Sequence, residues 1–392
     1  MAESAHAYVR GNTVQFYEWL RSDAVKALLP TGPAVWICGD CHIGNLGPVA
    51  NIDGKIEIQI RDLDQTVIGN PSHDLVRLGL SLAMAARGSD LPGVTTALML
   101  EEMIAGYCDG VRGRASAAKA TSIDPIQRVM RQAVRRTWKH LAEERIEDAT
   151  PTIPLGKRFW PMTPKERDEV KELFEGDTAR EIAQCIAGEE TEIKVRLLDA
   201  AYWVKGCSSL GRLRYAVLVG VGKKSDREYR LLDIKEATHA AAPCIEGSGG
   251  KKKGRVSAGT ADEMPRNDAE RVVAGACHLS PYLGKRMAAG TIGGRRVVIR
   301  ELRPQDLKFE LTGLTQEEAI ATARMMASVV GRAHGRQMTQ QDRKAWIKEL
   351  QTKKGQKLDA PRWLWSGVVD LVRLHEAAYL EHCRRFALGE IA

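Results

Sequence analysis

The stretch WICGDCHIGN, residues 36–45, sets three chemistries against one another. Cys38, Cys41 and His42 spell C-x-x-C-H, the pattern of covalent haem attachment, and the C-x-x-C within it is also a redox pattern. Asp40, His42 and Asn45 spell D-x-H-x-x-N, which suits a metal-dependent phosphotransfer site, because carboxylate and amide oxygens are hard ligands of the kind Mg²⁺ takes. The rest of the chain decides between them.

The eight cysteines are scattered and make one short-spaced pair, whereas disulfide frameworks are small and cysteine-dense. The N-terminal residues carry no secretory pattern and the longest apolar stretch, near LGLSLAMAA, is too short to cross a bilayer. A cytoplasmic protein with reduced thiols is the expectation, with no haem and no membrane partner. The 392 residues, 44% hydrophobic and 28% charged, allow a large core in two or three structural units. A net charge of +8 suits a polyanionic ligand such as a nucleotide and equally suits a solvated surface; there is no specific nucleic-acid signal.

The elements that must position these residues follow from periodicity. Residues 1–30 read as helix, and AVWICGD as a short buried strand running into a loop. IEIQIRDLD alternates as a half-buried strand should, and Asp53-Gly54 before it is a hairpin turn signal. Residues 72 to about 150 read as helices, and a Pro-rich joint at 149–164 precedes another helical segment to about 187. From 190 the pattern turns to strands, IKVRLLDAAYWVKG, RLRYAVLVGVG and REYRLLDIKEA, forming an antiparallel meander. NDAERVVAGACHL starts a helix, RRVVIREL is one more strand, and from 315 the chain is helical again.

With Asp53 and Gly54 as the two central turn residues, Ile52 pairs with Lys55 and Asn45 falls opposite Asp62. Opposed side chains in an antiparallel pair share a face with Cβ atoms about 5 Å apart, so Asn45 and Asp62 are expected to share one hard cation. Asp64 either joins that metal shell or binds nearby backbone amides. Asp40 lies five residues before Asn45, the spacing by which a kinase catalytic loop sets its base beside a metal-holding Asn. Downstream, Gly206, Ser208, Ser209 and Gly211 in GCSSLGRLRY are candidates for a loop over phosphates, with an ordinary hairpin loop as the alternative. Lys235 lies on the third strand of the meander, as the V-A-I-K lysine does in kinases. Glu270 is its nearest helical partner, although Asn267 with Glu270 also reads as a capping box.

CGDCHIGN resembles the H-G-D-x-H-x-x-N loop of aminoglycoside phosphotransferases and choline kinases, and IRDLDQTVIGNPSHDL resembles their I-D-W-D…G-x-P-x-x-D-L segment. The resemblance implies Asp40 as catalytic base, Asn45 and Asp62 as metal ligands, His42 as a loop-ordering residue and Asp74 as a buried brace of the loop. Cys38 stands where those families have His. The β-rich parts that precede the catalytic loop in kinases follow it here, and moving residues from about 190 onward in front of residue 1 restores the usual order, as in a circular permutation. In this order the chain resembles the bacterial proteins grouped as domain of unknown function 2252, on AYVRGN, CGDCHIGN, RDLDQT, DIKEA and VIRELRPQDLK. The expected fold is α+β and two-lobed, protein-kinase-like and circularly permuted, with a small antiparallel β-lobe and a larger helical lobe. Residues 1–110 carry the catalytic and metal loops, 111–189 a helical segment, 190–312 the β-rich nucleotide-binding lobe and 313–392 the closing helices. The implied activity uses ATP and Mg²⁺ and acts on an unidentified hydroxyl of a small molecule; a pseudokinase and a nucleotidyl transferase are the alternatives.

Overall fold

A computed structural model of the chain describes residues 8–9, 11–114, 124–135, 152–176, 178–187, 195–204, 211–222, 228–243, 264–307, 313–352 and 360–386. Helices α1 (Thr13–Leu20) and α2 (Asp23–Leu28) lead into β1 (Val35–Ile37), the strands β2 (Leu46–Ala50) and β3 (Ile56–Ile60), and β4 (Val67–Gly69). Helices α3 (Pro71–Gly88), α4 (Gly93–Val111) and α5 (Asp124–Arg135) precede β5 (Phe159–Trp160), α6 (Pro164–Glu175) and α7 (Thr178–Ala187). Strands β6 (Val195–Trp203), β7 (Arg214–Val221) and β8 (Glu228–Glu236) are followed by α8 (Asp268–Leu279) and α9 (Pro281–Gly284). The chain continues through β9 (Met287–Ile292) and β10 (Arg295–Leu302) to α10 (Gln316–Gly335), α11 (Gln340–Thr352) and α12 (Arg362–Phe386). Among the described residues no helix is long and apolar enough to cross a membrane.

The architecture is α+β. The expected meander forms the middle of a six-stranded antiparallel sheet of order β5-β6-β7-β8-β10-β9. Two of its strands were not legible as such. β5 is only Phe159–Trp160, too short to alternate, and β9, MAAGTI, is rich in small residues and becomes a strand by pairing along β10. Because strand side chains alternate between faces, Tyr215, Val217 and Ile234 point into one core with Val170 and Leu173 of α6 and Ile182 of α7. The opposite face carries Arg214, Asp233 and Lys235, and it looks toward the loops that follow β1 and β3.

The helical part is organised by α4 and α10, which lie against each other along their lengths. Their approach is set by glycines: a Cβ on Gly106 would sit 2.0 Å from the carbonyl oxygen of Arg324, and one on Gly331 would sit 2.2 Å from that of Tyr107. The expected N-terminal helix is interrupted: Asn12 caps α1, and Ser22 caps α2 by accepting from the Val25 amide.

The hairpin corrects the register inferred from Asp53-Gly54. The Asn51 amide donates to the Lys55 carbonyl at 2.8 Å, so the turn holds three residues, Ile52, Asp53 and Gly54, and Leu46 pairs with Ile60. Gly54 adopts φ +82°, and the Asn51 side chain accepts from the Lys55 amide at 2.7 Å. The Asp-Gly signal marked the turn, but the asparagine before it closed a loop one residue longer than a type I′ turn. Asn45 therefore lies opposite Arg61, whose amide donates to the Asn45 carbonyl at 2.7 Å, and not opposite Asp62.

The segment RELRPQDLK ties the sheet to this hairpin. The Asp306 side chain is buried; its two carboxylate oxygens accept from Arg286 Nη2 at 3.0 Å each, and the carboxylate also accepts from Arg300 at 3.3 Å and from the Ala50 amide at 3.3 Å, while Arg61 donates to the Asp306 carbonyl at 2.8 Å. Burial pushes this carboxyl up, but the charges of Arg286, Arg300 and Arg61 outweigh it and hold the group below the usual carboxylate range.

Two histidines in the helical part make the fold sensitive to acid. Burial pushes the imidazoles of His73 and His375 down to about 4 from an ordinary 6.5. Between those values the unfolded chain binds more protons than the folded one, so this stabilisation is complete above pH 6.5 and is lost as pH falls toward 4. Urea unfolding at pH 7 and 5.5 should show a loss of about 1 kcal/mol per histidine. In His73→Asn the loss should be roughly halved; an unchanged pH dependence would remove His73 as a cause.

Candidate active site

Strand β1 is buried at all three positions and delivers Cys38, Gly39 and Asp40 to the loop that follows β3, where the Cys38 thiol donates to the Asp62 carbonyl at 3.6 Å. Asp74, in the first turn of α3, accepts from the Cys38 amide at 2.7 Å and the Gly39 amide at 3.0 Å, and His334 of α10 reaches the same carboxylate at 3.1 Å. The Tyr17 hydroxyl donates to the Gly39 carbonyl, and the Thr66 hydroxyl donates to that of Ile37 at 2.6 Å. Gly39 has φ +75°, and a Cβ there would lie 2.0 Å from the Gln65 carbonyl oxygen. The loop bearing Asp40 is thus pressed against the loop bearing Asp62 and Asp64.

Within this frame Asp40 keeps 16% of its side chain exposed. Its Oδ1 accepts from Arg77 Nε at 2.8 Å, its Oδ2 lies 3.7 Å from His42 Nε2, and its backbone carbonyl accepts from Asn45 Nδ2 at 3.0 Å. That last bond fixes the asparagine amide and turns its oxygen to the other side. Cys38 and Cys41 are each 1% exposed and share a hydrogen bond. That bond and burial raise the Cys38 thiol well above its ordinary value. The bond lowers Cys41, but burial outweighs it. Neither is a ready thiolate.

Asp62 is open to solvent, and its Oδ1 accepts from the Asp64 amide at 3.3 Å. Although surrounding protein pushes its carboxyl up, the charges of Lys235, Arg300, His42 and Arg214 hold it below the ordinary value. Asp64 pairs with Lys235, which β8 carries between β7 and β10. On the same face Arg214 grips Asp233, Nε to Oδ1 at 2.9 Å, with its guanidinium carbon 5.1 Å from the Trp203 ring centroid.

Several expected residues stand elsewhere. Glu270 is exposed and accepts from Asn267 Nδ2 at 3.0 Å, so it belongs to the start of α8 and is not the partner of Lys235. Its neighbour Arg271, one residue on and on the buried side of the helix, donates to the carbonyls of Thr66, of Asp64 at 3.1 Å and of Thr238 at 2.8 Å. Gly206, Ser208 and Ser209 lie outside the described residues; Gly211 is exposed with φ +75° at the entry to β7. Arg77 and Arg271 escaped sequence reasoning because each is a helical arginine whose partner lies 37 or 207 residues away.

Among the described residues no group of three or more His, Cys, Asp or Glu side chains is placed to hold a metal ion. Asp64 is committed to Lys235. What remains is one carboxylate, Asp62, and one amide oxygen, on Asn45, and among the described residues neither Asp62 Oδ2 nor Asn45 Oδ1 receives a hydrogen bond. As hard oxygen donors, Asp62 and Asn45 are each of the kind Mg²⁺ takes and not of the kind a thiolate-loving metal takes, and the hairpin register does not set the two opposite each other.

A search of the curated proteins gives no match, and a search of the solved structures gives none. One family covers residues 1–385, nearly the whole chain, and is described as uncharacterized protein conserved in bacteria. On that extent of match, this chain belongs to the bacterial family DUF2252.

Proposed function

We propose that this protein is an ATP- and Mg²⁺-dependent phosphotransferase of circularly permuted, two-lobed kinase-like fold, acting on a hydroxyl acceptor, most simply a small molecule. The observation that carries this is the meeting, across 171 residues of sequence, of Lys235 on a central sheet strand with the Asp62–Asp64 loop. The chain order in the sheet supports it: a three-strand meander, a helix, then a hairpin whose second strand, β10, pairs with the lysine strand β8. In this reading Asp62 and Asn45 hold Mg²⁺, which when bound neutralises charge on the phosphates. Lys235 leaves Asp64 to contact phosphate oxygens, and Asp40 orients the acceptor hydroxyl. Residues 190–312 then form the nucleotide lobe, with 1–110 and 313–392 making the helical lobe and 111–189 lying beside it.

The test is thermal unfolding with ATP, with and without Mg²⁺. The parent chain should be stabilised by Mg²⁺ and ATP together, by about 2.7 kcal/mol at a hundredfold excess over Kd, and Asp62→Ala should lose the Mg²⁺-dependent part. Absence of any shift at millimolar ATP would sink the proposal.

A second reading is favoured by one observation: Lys235 is already satisfied by Asp64, and Asp40 by Arg77. A pseudokinase would show the nucleotide shift without turnover. A nucleotidyl transferase would release pyrophosphate, where a phosphotransferase releases ADP.

A further inference from the structure

Among the described residues Arg77 is the arginine that reaches the Asp40 carboxylate, and it does so from a place where an arginine is costly. Its side chain is fully buried in α3. Nε donates to Asp40 Oδ1 at 2.8 Å, Nη2 donates to the Val9 carbonyl at 2.7 Å, and the guanidinium carbon lies 5.5 Å from the Phe16 ring centroid. Nη1 is buried and has no hydrogen-bond partner among the described residues. Arginine stays charged in proteins, and a buried charge with an unmet donor lowers stability. Local rules of this kind are broken at functional sites.

We infer that Arg77 is a positioning residue for phosphoryl transfer: it fixes the Asp40 carboxylate through Oδ1 so that Oδ2 faces the acceptor hydroxyl. This rests on the phosphotransfer reading above and adds to it the group that aims its base. The rigid fork of a guanidinium, anchored at its other end on Val9 and stacked on Phe16, sets the carboxylate plane as a flexible ammonium does not. In the transfer, the acceptor oxygen bonds to the γ-phosphorus and the bond to the β–γ bridging oxygen breaks, its electron pair leaving on ADP. The hydroxyl proton passes to Asp40 Oδ2. Little proton transfer precedes bond breaking in such a loose transition state, so a carboxylate paired with a cation serves by orientation, and misplacement by about 1 Å costs on the order of 10²-fold.

The experiment is a double-mutant cycle on ADP release from Mg²⁺ and ATP with water as acceptor, using the parent, Arg77→Met, Arg77→Lys, Asp40→Asn and the two doubles. Arg77→Met should lower kcat on the order of 10²-fold with KM for ATP within about twofold, and Arg77→Lys should recover about tenfold of that loss, since an ammonium restores one bond to Oδ1. In the Asp40→Asn background neither Arg77 variant should slow turnover further. A loss that multiplies with that of Asp40→Asn, or one that appears in KM alone, overturns the positioning role and leaves the phosphotransfer reading standing. Absence of turnover by the parent overturns that reading and this role with it. Where Arg77→Met fails to fold, the Arg77→Lys arm of the same cycle decides: it should be slower than the parent and no slower than Asp40→Asn when combined with it.

Discussion

Asp40→Ala should bind Mg²⁺ and ATP as tightly as the parent and turn ATP over about 10²–10⁴ times more slowly, the usual worth of a positioned acid or base. Binding should survive because Asn45 is anchored on the Asp40 backbone carbonyl, which the substitution keeps, and because Asp62 comes from another loop and Lys235 from strand β8. Asp40→Asn is the better-behaved companion, since its amide oxygen still accepts from Arg77 Nε and no buried cation is stranded. Both are read by phosphate or ADP release alongside the Mg²⁺-dependent thermal shift. Undiminished turnover would move the base to another residue. Loss of both binding and turnover would make Asp40 a structural group.

The second large effect is on stability. Asp74→Ala should cost about 3–5 kcal/mol in chemical unfolding, because it strands the buried amides of Cys38 and Gly39 and the ring of His334 at once. Asp74→Asn should also destabilise, though less. Its carboxamide has one acceptor oxygen where the carboxylate uses two, so one backbone N–H is left facing an NH₂ donor. Similar stability in the parent and both variants would show that the loop does not depend on this brace.

How much of this was written in the sequence can be argued from particular residues. Asp74 was legible as a brace, through the P-S-H-D-L segment, and the structure gives it two backbone amides of the Asp40 loop. The meander was legible because apolar runs such as YAVLVGV stand between Gly-containing turns, and β7 is indeed buried at every position. The pairing of Asn45 was not: Asp-Gly marks a turn but not its length, and Asn51 made the loop three residues. The two acidic loops still converge, because Gly39 lets one chain lie against the carbonyl of Gln65 in the other. Glu270 was drawn toward Lys235 by analogy with the usual ion pair, and lay on the exposed side of its helix, while Arg271 on the inner side held the Asp64 loop. Long-range arginine contacts such as Arg77 to Asp40 or Arg271 to the Asp64 carbonyl leave no local pattern, so composition and periodicity are silent about them.

The backbone of Trp36 in β1 donates to Gln337 Oε1 at 2.7 Å and accepts from its Nε2 at 3.1 Å, across 301 residues of chain. This has a consequence during synthesis. At about 5–20 residues per second, the strand that carries the Asp40 loop leaves the ribosome roughly 15–60 s before the glutamine that completes its hydrogen bonds. Over that interval the edge of Val35–Ile37 that faces away from its strand partner β4 has unmet backbone groups, an edge of the kind that invites wrong pairing. Completion of β1 is therefore tied to the last quarter of the chain, and truncation before Gln337 would leave the Trp36 backbone without the side chain that satisfies it.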